Sequence, residues 1–178
     1  MDAELARWLV SADAEPALAE ASGQPDPGSL AAATALRRHW PADQAAAALG
    51  QVALRRRAVA KFGERAAGLF LTPDGLEQAT RADVAHWRAA RFTQAGVREV
   101  VDLGCGIGAD ALAFADAGIT VTAVEADPAT AVLAGANLGE HARVLCGDAV
   151  ALASGVLGDG AALFADPARR TAAGRTWR

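Results

Sequence analysis

The residues with the clearest chemical potential are four carboxylates and three glycines. Asp102 stands two positions ahead of Gly104 in the run Val100-Val101-Asp102-Leu103-Gly104-Cys105-Gly106-Ile107-Gly108. An apolar run that ends in an acid and breaks into alternating glycines reads as buried strand, tight turn and helix start. Glycine permits the turn and lets a ligand lie against bare main chain near a helix N-terminus. Glu125, Asp148 and Asp166 stand at or just past the ends of the next three β-type runs. Ligands of an open parallel sheet bind at the carboxyl ends of its strands, so the four carboxylates would converge on one crevice. That crevice repels a pyrophosphate and attracts a ligand carrying positive charge.

The glycines alone also satisfy a second pattern. Gly104, Gly106 and Ala109 fit G-x-G-x-x-[GA], and Glu125 follows Gly104 by 21 residues. This is the dinucleotide fingerprint, so an NAD(P)-dependent oxidoreductase is the alternative reading. Asp102 beside a pyrophosphate argues against it, as do the roughly 95 residues of helical sequence ahead of the fingerprint.

The elements that must position these residues alternate along 96–178. Strands are expected at 98–103, 120–125, 143–146 and 161–165. Helices are expected at 107–117 and 128–138, with a short helix or loop at 150–153. This is the β-α-β grammar of a parallel sheet, and continuous apolar strands imply that both faces are covered. Asp127 before Pro128 reads as a helix cap rather than a ligand. Residues 1–95 read as helices, at 2–10, at 29–39 behind a Ser29 cap, and at 42–62 with Gly63 as stop. A further helix opens at Thr72-Pro73-Asp74 and runs to about 92, while 23–28 is a loop.

Composition bounds the rest. The 178 residues are 52% hydrophobic and 21% charged, enough for one domain, or a small domain with an appendage. Two cysteines, Cys105 and Cys146, exclude a disulfide scaffold and read as small apolar fillers. His39, His86 and His141 show no metal-ligand spacing, so no metal is expected. No apolar run approaches the ~18 residues of a membrane span, and Asp2 and Glu4 replace the positive start of a signal peptide. A cytoplasmic protein without a membrane partner is expected. Basic and acidic residues balance at eleven each in 1–95 and stand at six against ten in 96–178. The net charge of −4 excludes a whole-molecule basic field. Residues 35–65 are locally basic, with Arg55, Arg56, Arg57 and Lys61 at the centre. They form either a solvated helix face or a phosphate-contacting surface, and the latter would allow a non-catalytic RNA-binding module.

The motifs together resemble a family. Residues 100–108 look like motif I of the class I S-adenosylmethionine-dependent methyltransferases. Val121-Thr122-Ala123-Val124-Glu125-Ala126-Asp127 looks like their second strand, Cys146-Gly147-Asp148-Ala149 like the third-strand motif, and Phe164-Ala165-Asp166-Pro167 like the fourth. Upstream, the stretch from Phe70 to Thr80, with its Thr72-Pro73-Asp74, resembles the trimethylguanosine-synthase-like branch. It is most similar to bacterial members with a THUMP-like C-terminal domain, as is the run Asp166-Pro167-Ala168-Arg169-Arg170.

The resemblance implies a Rossmann-like sheet at 71–178 behind an N-terminal helical domain at 1–70, with S-adenosyl-L-methionine as cofactor and RNA as acceptor. It assigns the methionine moiety to Gly104, Gly106 and Gly108, the ammonium to Asp102, the ribose diol to Glu125, and the adenine to Asp148 and Ala149. Thr72 and Gln78 close over the carboxylate end, and Asp166 and Pro167 orient the acceptor amine. Two departures qualify it. Ala168 and Arg169 replace the second proline and the aromatic of the amino-methylating motif, so Arg169 and Arg170 would grip phosphate instead. The family's sheet has seven strands and only four are legible. The expectation is part of a longer protein that binds cofactor with little turnover. Its uncovered sheet edge would be open to self-association.

Overall fold

The structure is a computed structural model that describes residues 1–158 and 160–166. Its helical part holds α1 (Ala3–Leu9), α2 (Glu15–Ser22), α3 (Leu30–Leu36) and α4 (Ala42–Phe62). Asp2 accepts from Leu5 N and Ser29 from Ala32 N, so α1 and α3 begin where a side-chain oxygen satisfies a free amide. Gly63 stops α4 at φ +57°, a value glycine adopts freely. The sequence reading has no helix at 15–22 and carries α3 three residues too far. Alanine on every side of a helix erases the apolar period that would mark both.

Next come α5 (Pro73–Gln78) and α6 (Ala82–Gln94). The sequence predicts one helix here, and the structure corrects this to two. Lys61 Nζ donates to the carbonyls of Leu76, Glu77 and Ala79 at 2.6, 2.7 and 3.0 Å, which ends α5 from outside. Ala79 and Arg81 turn extended, at ψ 136° and 146°. The intervening Thr80 sends its hydroxyl to Asp110.

The second part alternates β1 (Glu99–Leu103), α7 (Ala109–Asp116), β2 (Thr120–Glu125), α8 (Pro128–Leu138), β3 (Ala142–Cys146), α9 (Ala149–Val156) and β4 (Ala162–Ala165). The strands are all parallel in the order β3-β2-β1-β4, with Asp102 level with Ala123 on one side and Phe164 on the other. The expected α/β class therefore holds as an N-terminal helical region followed by a small Rossmann-like parallel sheet. After three strands in one direction the chain crosses to the far side of β1. The switch point, where ligands of such sheets bind, lies between β1 and β4.

Two apolar cores form. One joins β1 and β2 to α6 and α7 through Val100, Val121, Ala89, Leu112 and Phe114. The other gathers Leu9, Leu18, Leu36 and Leu49 from the four N-terminal helices around Leu133 of α8. Between them runs the segment 69–71, whose main chain is bonded by side chains. Gln51 donates to Leu69 O and accepts from Leu71 N, both at 3.2 Å. Asn137 accepts from Phe70 N at 2.7 Å and donates to Phe70 O and Ile107 O, each at 2.9 Å. The buried Gln51 and half-buried Asn137 amides take the place of a neighbouring strand, as a main chain inside the fold requires.

Much of the basic cluster is engaged in the same framework. Arg55 donates to Leu69 O and lies over the Phe70 ring. Arg56 donates to the carbonyls of Ser22, Gln24 and Pro25, which anchors the loop before α3. Lys61 caps α5 as described, and Arg57 is exposed. Arg55, Arg56 and Lys61 thus each bond main-chain carbonyls within the fold.

Candidate functional site

A cavity of about 960 Å³ opens at the carboxyl ends of β1, β2 and β4. Its deepest charged group is Asp102, the penultimate residue of β1, only 2% exposed. Its Oδ2 has no hydrogen-bond partner among the described residues. Burial pushes this carboxyl up to about 7, helped by the charges of Asp110, Asp166 and Glu125 and opposed by Arg88. A buried carboxylate that lines a cavity and has an oxygen unpartnered among the described residues is suited to a cationic ligand.

The glycine turn runs directly from β1. Gly104 and Gly106 have φ +79° and +57°, and a Cβ on either would meet no atom within 4 Å. Here glycine supplies backbone geometry and leaves open space beside bare main chain. The turn is anchored on β2, since Gly104 N and Cys105 N both donate to Val124 O. Glu125 ends β2. Its Oε2 accepts from Gly106 N and its Oε1 from Asp127 N, each at 2.9 Å. The carboxylate is thus held in place with lone pairs to spare. The neighbouring Cys105 thiol is pushed up by burial and by Asp102 and Glu125, which disfavours its thiolate.

Of the residues singled out from the sequence, Thr72, Gln78, Asp102, Gly104, Gly106, Glu125, Ala149 and Asp166 all line this cavity. Thr72 does so while capping α5 through Gly75 N. Gly75 is packed so closely that a Cβ would stand 2.5 Å from Ile107 Cγ2. Two residues stand elsewhere. Gly108, at φ +87°, starts α7, and a Cβ there would come 3.3 Å from the Leu138 side chain. Its missing Cβ makes room for Leu138 of α8. Asp148 accepts from Ala151 N as the cap of α9 and is not on the cavity wall. Asp127 likewise caps α8 through Thr130, and these bonds lower its pKa. Pro167, Arg169 and Arg170 lie outside the described residues.

The structure adds a network that sequence reasoning missed. Arg88 Nη1 lies 3.0 Å from Asp110 Oδ1 and 3.1 Å from Asp166 Oδ2, and its guanidinium sits over the Phe164 ring. Thr80 Oγ1 donates to Asp110 Oδ2 at 2.7 Å and accepts from Arg88. Burial works against the Arg88 charge, yet Asp110 and Asp166 hold its pKa above the usual arginine value. Asp110 carries a faint signal as the acid inside an otherwise apolar turn of α7. Arg88 carries none, because it reaches the site from another helix.

Two comparisons bear on this geometry. Residues 2–58 match the model of a family described as a domain of unknown function (DUF8688). The chain is similar to a crystal structure described as a "putative methyltransferase from Porphyromonas gingivalis W83", with a TM-score of 0.54 and 24% identity. The match covers 76% of this chain and 35% of that one, so this chain spans about a third of the length of the protein it resembles. The likeness is one of fold.

Proposed function

We propose that the cavity binds S-adenosyl-L-methionine and that the chain serves a methyl transfer with RNA as acceptor. The observation that carries the cofactor reading is the unpartnered Asp102 oxygen in the cavity wall, next to two glycines whose side-chain space is open. A free ammonium answers the first, and an extended aliphatic chain lying on bare main chain answers the second. In this reading Asp102 receives the ammonium and Gly104 and Gly106 give room. Glu125, already oriented by two amides, accepts from the ribose diol. The adenine end falls to Ala149 rather than Asp148, whose side chain is committed to α9. Thr72 and Gln78 close the carboxylate end.

When bound, the cofactor supplies a methyl group activated by its sulfonium. The chain's task is alignment. Asp166, fixed by Arg88, holds the acceptor amine in line, a positioning effect worth up to ~7–11 kcal/mol. RNA as acceptor is supported by the resemblance of 166–170 and by the exposed Arg57. Turnover is proposed of the whole protein. The dinucleotide reading has less support, because Asp102, Asp110, Glu125 and Asp166 all line the space a pyrophosphate would occupy.

Calorimetric titration tests the reading. S-adenosylhomocysteine should bind and NADH should not, and Asp102→Asn should weaken the former about tenfold or more, the loss of one charge-assisted bond. Binding of NADH, or nucleoside binding indifferent to Asp102, would overturn it.

A further inference from the structure

On α6 a side-chain strip leaves the cavity. Val84 and Arg88 line the cavity wall, and Trp87 and Arg91 share their helix face, at the i, i+3, i+4, i+7 spacing. Trp87 lies about 4.5 Å and Arg91 about 10 Å further along the axis from Val84. Trp87 is 59% exposed and Val84 41%, high values for residues this apolar. The Arg91 guanidinium lies 5.0 Å from the centroid of the Trp87 ring. Arg81, just before α6, also lines the cavity. Among the described residues no carboxylate forms an ion pair with Arg91. Asp83 stands on α6, and Asp74, Glu77, Asp110 and Asp166 line the same cavity as Arg81.

We propose that this strip is where a single-stranded nucleic acid docks, one unpaired base stacking on the Trp87–Arg91 pair and the adjoining phosphates meeting Arg91 and Arg81. Indole and guanidinium planes are the two surfaces on which unpaired bases stack, and the cations complement the phosphates. Basic peptides would be repelled by the same arginines. The strip supplies the aromatic plate that Ala168 and Arg169 leave out of the fourth-strand motif, and it lies on the Asp166 side of the cavity, where Arg88 reaches across. The purpose of docking rests on the methyl-transfer reading, but the docking itself does not.

Anisotropy titration of a labelled eight-nucleotide single-stranded RNA, with and without S-adenosylhomocysteine, tests the proposal. Wild type should bind it better than the matching duplex. Trp87→Ala should weaken binding roughly tenfold and Trp87→Phe much less, while nucleoside affinity is unchanged in both. Arg91→Gln should lower the salt slope by about one. Equal RNA binding by wild type and Trp87→Ala, no RNA binding at all, or no preference for the single strand overturns it. So does a dimer in sedimentation that Trp87→Ala dissolves, because a second copy would then be the occupant. RNA binding lost with Trp87→Ala in a protein that ignores the nucleoside would uphold the docking surface and sink the cofactor reading instead.

Discussion

Asp102 sets the electrostatics of the site. Its folded-state pKa of about 7 lies above the ordinary value of 3.8, so between these values the folded chain holds a proton that the unfolded chain releases. The stability associated with this group is therefore greatest at acid pH and is lost as pH rises towards neutrality. Asp102→Asn keeps the shape and removes the charge. Without ligand it should melt above wild type at about pH 8, and the advantage should shrink towards zero near pH 4. A melting series across that range checks this, and a variant no more stable at the alkaline end contradicts it. Destabilised in the free protein and suited to a cation, Asp102 shows how a site keeps strain that binding relieves.

Among the elements, α5 depends most on its neighbours. It has six residues, a Thr72 cap and a carboxyl end satisfied largely by Lys61 of α4. So short a helix does not persist by its own propensity. Lys61→Met should leave α4 helical but speed amide exchange across 73–79, and should weaken nucleoside binding, because this helix carries Gly75 and Gln78 of the cavity wall. Unchanged exchange in that stretch would show that α5 stands without the lysine. α7 and α8 depend on one another at a different point, Gly108, where the absent Cβ admits Leu138. β1 needs less support, since its apolar run and the turn behind it are specified by adjacent residues.

At the scale of the whole molecule, the helical part and the sheet share side chains. Leu133 of α8 is fully buried among residues of the N-terminal helices, and Asn137, one turn on, holds both the 69–71 segment and the glycine turn. Truncating such a leucine costs ~2–5 kcal/mol. Leu133→Ala should therefore lower the melting of both parts together, seen as one shifted transition by helix signal and by Trp fluorescence. Two separate transitions in wild type would mean that the shared core does not couple them. Among the described residues no helix is long and apolar enough to cross a membrane.

The sequence by itself determined the parallel sheet, the glycine turn and the acids at the strand ends. Each is written in consecutive residues, where a local period or a backbone preference suffices: β2, α4 and α8 begin and end as expected. Only the tertiary structure decided which acids face the cavity. Asp148 and Asp102 both stand near the carboxyl end of a strand, yet one caps a helix and the other is buried with an oxygen unpartnered among the described residues. It also decided the break at 79–81, made by a lysine some eighteen residues upstream, and the arrival of Arg88 between Asp110 and Asp166. A cap, a carbonyl held from a distance and a buried charge depend on which groups meet across the fold, and that meeting leaves no periodic trace along the chain.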